Sequence, residues 1–392
     1  MMIDAWRGRG WLGWVAPAVA LAALVLAACG GGDGAVDATP EPLKDTSADQ
    51  PVVDGPADVP TPVGDDGDVS GAPDDGEPGW VRLSPAGDFR EVVVSVNGGT
   101  IVLSEAGGGL ISRDGGSSWV AVDWPGEVRT RAAVDADGET VLVAGIGLAA
   151  GFEGTGVISR DGGTSWVDTG VAAQAVRYVA GDEFLVATAE RGVVRSGDGG
   201  ATGATVIANA DLEAGVLAPI GVFVNPRDAA EIYVAAASEG GTVRLFRTVD
   251  GGETVSVVVG ELPLWGWTVV RFSSIGPMIL SQGVGVVFSF DGGDSWFVQN
   301  QGLESFEESG LFMALLDMAV IPESGIPVLA TTAGLRRFTP GGWEVVEGPG
   351  GAVRALAVQV RGTDSGSGTQ LLAVTETGLW ALAGGVFSAA PE

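Results

Sequence analysis

The chain has 392 residues and a formal net charge of −30, from 50 acidic and 20 basic side chains. That balance excludes nucleic acid, and an anionic lipid surface for the bulk of the protein, as partners. There is no histidine and a single cysteine, Cys29, which removes histidine-based acid/base chemistry, His-ligated zinc, thiolate metal clusters and any intramolecular disulfide. In chain order, residues 1–28 begin with Arg7 and Arg9, run through an apolar stretch at 11–26 and end on small residues, the layout of a secretory signal.

The four residues ending that leader, Leu26-Ala27-Ala28-Cys29, resemble a bacterial lipobox. The resemblance implies cleavage before Cys29 and lipidation of its thiol. An uncleaved anchor is the alternative, and the apolar stretch is short for a membrane span. Either reading ties the chain to a membrane and turns it toward an extracytoplasmic compartment. Gly30 after the cysteine implies, by the usual sorting rule for such lipoproteins, the outer membrane.

Residues 29–79 form the next segment. From Gly30 onward it holds 13 acidic residues, one lysine (Lys44) and no aromatic residue. Such a composition buries too little apolar area to offset its ordering entropy and is expected to stay disordered, with a reach of about 40 Å for a flexible coil. Asp66, Asp68, Ser70, Gly71, Asp74 and Glu77 fall in the register of a calcium loop. Pro73 and the absence of helical flanks speak against that reading.

From Trp80 to the end, short apolar runs alternate with glycine-rich turns and no helical period is present. One octet recurs: Ser112-Arg-Asp114-Gly-Gly116-Ser-Ser-Trp119, then Ser159 with Asp161, Gly163 and Trp166, then Ser289 with Asp291, Gly293 and Trp296. Copies around Asp198 and Asp250 keep the Ser/Thr, Asp and Gly positions but lack the tryptophan. A shortened copy runs from Thr339 to Trp343, and a vestige begins at Ala383. The aspartates stand 47, 37, 52 and 41 residues apart, a blade period. A second apolar motif precedes the turns at 101–104, 141–145, 184–190, 232–237, 277–283, 327–334 and 371–378. Seven copies predict seven four-stranded blades, the first at 91–96, 100–104, 110–113 and 118–122. The inner strands are expected to be continuously apolar, and residues 80–83 to pair with the last blade, whose own outer strand at 386–390 is short. The physics of the octet is local: the carboxylate accepts backbone N–H groups, glycine supplies positive φ, and tryptophan opens the outer strand.

The octet resembles the Asp-box (BNR) repeat of sialidase-like β-propellers. The resemblance implies an all-β, seven-bladed propeller over 80–392, with the aspartates as structural clasps and the ligand face on the opposite side. On that face Arg90, Arg131, Arg177, Arg271 and Arg354 each stand near the start of an inner strand. They are read either as an anion-attracting ring or as partners of loop carboxylates such as Glu105, Glu127, Glu153, Glu190, Glu239 and Glu376. Photosystem II assembly-factor propellers are similar in carrying an arginine patch for partner binding. Trp265 and Trp267, at a blade junction, suit a sugar or a protein contact, or simply packing, and Glu304–Glu308 lies in the longest connection.

Sialidases need an early Phe-Arg-Ile-Pro stretch and a late Tyr–Glu nucleophile pair. The stretch is absent, and the two tyrosines, Tyr178 and Tyr233, fall in the third and fourth blades. The expectation is a lipid-anchored, non-enzymatic binding protein, monomeric by default, with a protein or glycan partner, no metal site and no cofactor. A carbohydrate-active enzyme using two carboxylates and an envelope assembly factor are the alternatives.

Overall fold

The computed structural model describes residues 79–383 apart from 106, 125–129, 146–154, 240–241, 264–267, 274–275, 282–283, 304–314, 323 and 364–365. The readings on the leader, Cys29, the acidic segment, the calcium pattern, Trp265, Trp267, the connection holding Glu304–Glu308 and the strand at 386–390 lie outside those residues.

Among the described residues every regular element is a β-strand, except for one 3-10 turn at Asn209–Asp211. The strands form seven four-stranded antiparallel sheets. Blade one consists of Glu91–Val94, Ile101–Glu105, Gly108–Ser112 and Val120–Asp123, close to the expected bounds. Its outer strand starts after Trp119 rather than on it, because Ser118 and Trp119 still belong to the turn. The inner strands of blades two to seven are Thr130–Val134, Ala173–Ala180, Val216–Asn225, Thr268–Phe272, Leu315–Val320 and Ala355–Thr363.

The seventh sheet is completed from the other end of the domain. Trp80–Arg82 pairs with Gly378–Ala383, with Trp80 opposite Leu382 and Arg82 opposite Trp380. Closing the ring this way leaves no long, open sheet edge between the first and last blades.

The core lies between blades. Side chains alternate along each strand, so neighbours in sequence pack against different blades. Leu103 joins Leu372 and Val374 of blade seven, whereas Val102 joins Val141 and Val143 of blade two. The same exchange continues through Leu142 with Phe184, Leu185 with Ile232, and Val328 with Leu371. Burying each such side chain stabilises the fold by about 1.5–3 kcal/mol. The deepest burial falls on the second strands and not, as the pattern suggested, on the inner ones. Ile101, Val102 and Leu103 are fully buried, while three of the four residues of Glu91–Val94 are only partly buried. A second strand has strands on both sides and blades on both faces; an inner strand borders the channel.

The repeated octet forms one turn five times. In the first, the Ser112 hydroxyl donates to Asp114 Oδ1 at 2.8 Å and accepts Gly116 N–H at 2.7 Å, and Ser118 N–H donates to Asp114 Oδ1 at 2.8 Å. The turns at Asp161, Asp198, Asp250 and Asp291 repeat these bonds. Glycine is required where φ is positive and the neighbouring blade is close. Gly252 has φ +105°, and a Cβ there would stand 1.8 Å from the Val206 carbonyl oxygen. Gly252→Ala is expected to cost about 2–3 kcal/mol, read as a lower urea midpoint at unchanged slope; a shift of under about 0.5 kcal/mol would mean that blades three and four can separate there.

The turns are also linked from blade to blade by arginines. The second octet residue in blades one and two is an arginine that reaches the next blade's turn. Arg113 donates to Gly162 O at 2.9 Å and to Thr164 Oγ1 at 2.7 Å, and Arg160 donates to Gly197 O. Arg247, just before the fourth turn, donates to Gly292 O in the fifth. The visible signal was an arginine beside a recurring serine, but its partner lies a full blade away.

Candidate functional site

The candidate site grows out of the inner strands, which carry charged residues where the channel leaves side chains partly solvated. Glu91 opens the inner strand of blade one, Arg131 lies second in that of blade two, and Arg177, Arg271 and Asp317 lie further along those of blades three, five and six. Arg131 Nη1 and Arg177 Nη1 stand 3.6 and 3.8 Å from the same oxygen, Glu91 Oε1. Arg177 therefore reaches past blade two to a carboxylate of blade one. Its guanidinium carbon lies 5.5 Å from the centre of the Phe223 ring of blade four, a cation–π distance.

A second cluster joins blades five to seven. Arg271 Nη2 donates to Asp317 Oδ1 at 2.9 Å and its Nε to Met318 O at 2.7 Å. Asp317 Oδ1 also accepts Met318 N–H at 2.7 Å, and Oδ2 accepts Leu356 N–H at 2.9 Å. Glu91 Oε2 likewise accepts Ala132 N–H, at 2.7 Å. The two carboxylates thus bind guanidinium and the next blade's backbone together.

The two clusters feel one another. The Arg177 guanidinium is pushed down to about 10, chiefly by burial; Glu91 opposes the shift, and Arg271 and Arg131 add to it. It remains charged at neutral pH. Three guanidiniums, each between 20 and 26% exposed, face two carboxylates that are 12 and 14% exposed. The belt lies inside a domain whose sequence from residue 80 has 17 basic and 36 acidic side chains, a net −19.

The other two candidates stand apart from this belt. Arg90 and Arg354 bracket Asp88 at 2.8 and 2.7 Å, where Arg90 is exposed and holds the Asp88 carboxyl below its usual range, its hydrogen bond being the largest cause. The expected ring of five is therefore a belt of three and a rim pair. Among the described residues, Glu91, Asp317 and Asp88 meet them, carboxylates that belong to inner strands or the approach to one. Of the loop glutamates expected to pair with these arginines, Glu127 and Glu153 lie outside the described residues, and a partner on a distant inner strand has no mark in sequence spacing.

The tyrosines are structural. Tyr178 packs edge-on against Phe184 with ring centres 5.7 Å apart. Tyr233 does have a glutamate partner: its hydroxyl lies 3.3 Å from Glu231 Oε1, which also accepts from Arg247 Nε at 3.0 Å. Tyr233 is fully buried, and burial raises its phenol well above the usual range. A nucleophile needs the opposite shift and an open face. Among the described residues no group of three or more carboxylates is arranged to hold a metal ion.

Seven radial sheets around a charged channel, clasped by side-chain-to-backbone turns, define a seven-bladed β-propeller. No family model and no curated protein matches the chain. Among solved structures it is similar to a GH74 xyloglucanase from Xanthomonas campestris, at 18% identity and TM-score 0.57 over 80% of this chain and 54% of that one. It is also similar to YCF48 from Cyanidioschyzon merolae, at 14% identity and TM-score 0.51 over 78% and 98%, and to YCF48 bound to D1 peptide, at 14% and 0.50 over 77% and 95%. The chain spans about half the length of the xyloglucanase. These likenesses concern the fold.

Proposed function

We propose that this chain is a non-enzymatic binding protein, anchored to the outer membrane through a lipidated Cys29, whose channel-mouth face takes a protein or glycan partner bearing carboxylates. The observation that supports it is the gathering of three partly solvated guanidiniums, Arg131, Arg177 and Arg271, on the inner strands. Inside an acidic domain, a cluster of partly solvated guanidiniums is a focused attraction for an anionic group. A peptide ligand is compatible with the fold, since one of the similar structures is that of YCF48 bound to D1 peptide. On this reading the five turn aspartates serve as clasps, and an envelope assembly role is one use of the same face.

The test is a glycan array run beside a pull-down from solubilised membranes, using the intact chain in detergent. Retained ligands are expected to be acidic and to weaken with salt. Arg131→Ala with Arg177→Ala is expected to reduce their retention at least about tenfold, whereas Arg90→Ala, at the exposed rim, leaves it within about twofold. Unchanged retention in the double variant, or equal retention of neutral glycans, would remove the belt as the site. The enzyme alternative requires a carboxylate free to pass a proton, and Glu91 and Asp317 each hold a guanidinium and a backbone N–H. Turnover of a β-glucan or a sialoside that is lost in Glu91→Gln would establish it instead.

A further inference from the structure

The outermost strands of the blades are edge strands, and an unprotected edge pairs with other chains. Five of the seven here carry a charge within the strand: Arg82 in Trp80–Arg82, Asp123 in Val120–Asp123, Asp168 in Val167–Asp168, Glu261 in Ser256–Pro263 and Glu344 in Gly342–Val346. The sixth, Ala204–Ile207, is covered by Arg191, which donates to Gly203 O at 2.8 Å and lies 3.5 Å from Thr205 Oγ1. Blade five is different. Its outer strand is Phe297–Val298, both residues exposed, with no charge and no polar side chain.

The apolar surface extends beyond that strand. Phe290 takes the octet position that Arg113 and Arg160 hold in blades one and two. The sixth blade's turn has lost its aspartate, and Phe290 stands 54% exposed with its ring centre 5.9 Å from that of Phe297. Phe297–Val298 is the last strand in its sheet, and among the described residues nothing pairs with its other edge. Asp294, 81% exposed, lies in the turn between the two phenylalanines and already meets Arg247 Nη1 at 3.3 Å.

We propose that the edge of blade five accepts an extended polypeptide strand, rich in basic and apolar residues, from another protein. Backbone groups of Phe297 and Val298 would pair with it, its apolar side chains would cover Phe290 and Phe297, and its cations would be held by the acidic domain around that edge. Charge decides between this occupant and a second copy of the chain. Two copies would bring together two bodies of formal charge −30, whereas a basic segment is drawn to the same field. The proposal is independent of the arginine belt, which lies on the inner strands.

The test uses the intact chain and three short fluorescent peptides, alternating lysine–valine, glutamate–valine and lysine–serine, followed by anisotropy at moderate salt. The lysine–valine peptide is expected to bind at least about tenfold more tightly than either of the others. Phe297→Lys, which places a charge in the edge strand, is expected to lower that affinity at least about tenfold, as is Phe290→Ser with Phe297→Ser. Val120→Lys, on the exposed outer strand of blade one, is the control and leaves binding unchanged. All these side chains are exposed, so the thermal midpoints should stay with the parent's and a loss of binding is not a loss of fold. Equal binding of lysine–serine would reduce the effect to bulk charge and overturn the proposal. So would indifference to Phe297→Lys, an equal loss in Val120→Lys, no binding of any peptide, or a dimer in sedimentation that Phe297→Lys dissolves.

Discussion

Glu91→Ala is expected to lower folding stability by about 3 kcal/mol, a larger effect than any exposed ion pair in the molecule would give. The carboxylate is only 12% exposed and answers two guanidiniums, Arg131 and Arg177, as well as the Ala132 N–H. Removing it leaves two like charges facing each other beside a backbone donor without its acceptor. Glu91→Gln keeps an acceptor for Ala132 and loses only the charge, so it should cost about half as much. Adding Arg177→Met to Glu91→Ala removes one of the two facing cations and is expected to recover part of the loss, a coupling that a double-mutant cycle in urea reads directly. If Glu91→Ala costs less than about 1 kcal/mol and the cycle shows no coupling, the belt is solvated and neither seals the channel nor focuses charge.

Acid should act on the opposite side of the ring. The carboxyls of Asp114, Asp161 and Asp291 are each held at about 2, chiefly by the hydroxyls of Ser118, Ser165 and Ser295 and by the backbone N–H groups of the same residues. Asp250 is held well below its usual range by Thr254. Asp198 is lowered by Ser196 and Thr202 although burial, the largest influence on it, works the other way. Each folded-state value lies below the ordinary 3.8, so between the two values the unfolded chain binds more protons than the folded one. The stabilisation is complete above about pH 4 and is lost as the pH falls through about 2. The thermal midpoint should therefore be nearly level from pH 7 to 5 and drop steeply between 4 and 2. In Asp161→Asn with Asp291→Asn it should start lower at pH 7 and fall less steeply, since two of the titrating clasps are gone. A midpoint level down to pH 2, or the same slope in parent and variant, would show that the turns hold without their charge.

Much of this could be read from residues alone because the octet is a local device. Its partners lie within four positions of the aspartate, so a recurring Ser, Asp and Gly states the geometry wherever it occurs. Blade number followed from the second apolar motif, since each four-stranded sheet needs one fully enclosed strand. The candidate arginines were visible for the same reason, as residues in register with a repeat.

What the residues could not state is who meets whom across the ring. Glu91 and Arg177 are brought together only by the curvature of three blades, and Arg271 meets Asp317 only across a blade boundary. The division of five arginines into a belt of three and a rim pair was likewise settled by closure of the ring. So was the exposed contact of Phe290 with Phe297. The octet clasps five of the blades by bonds a few residues long, whereas the channel and the rim are set by contacts between residues tens to hundreds of positions apart, for which spacing along the chain carries no information.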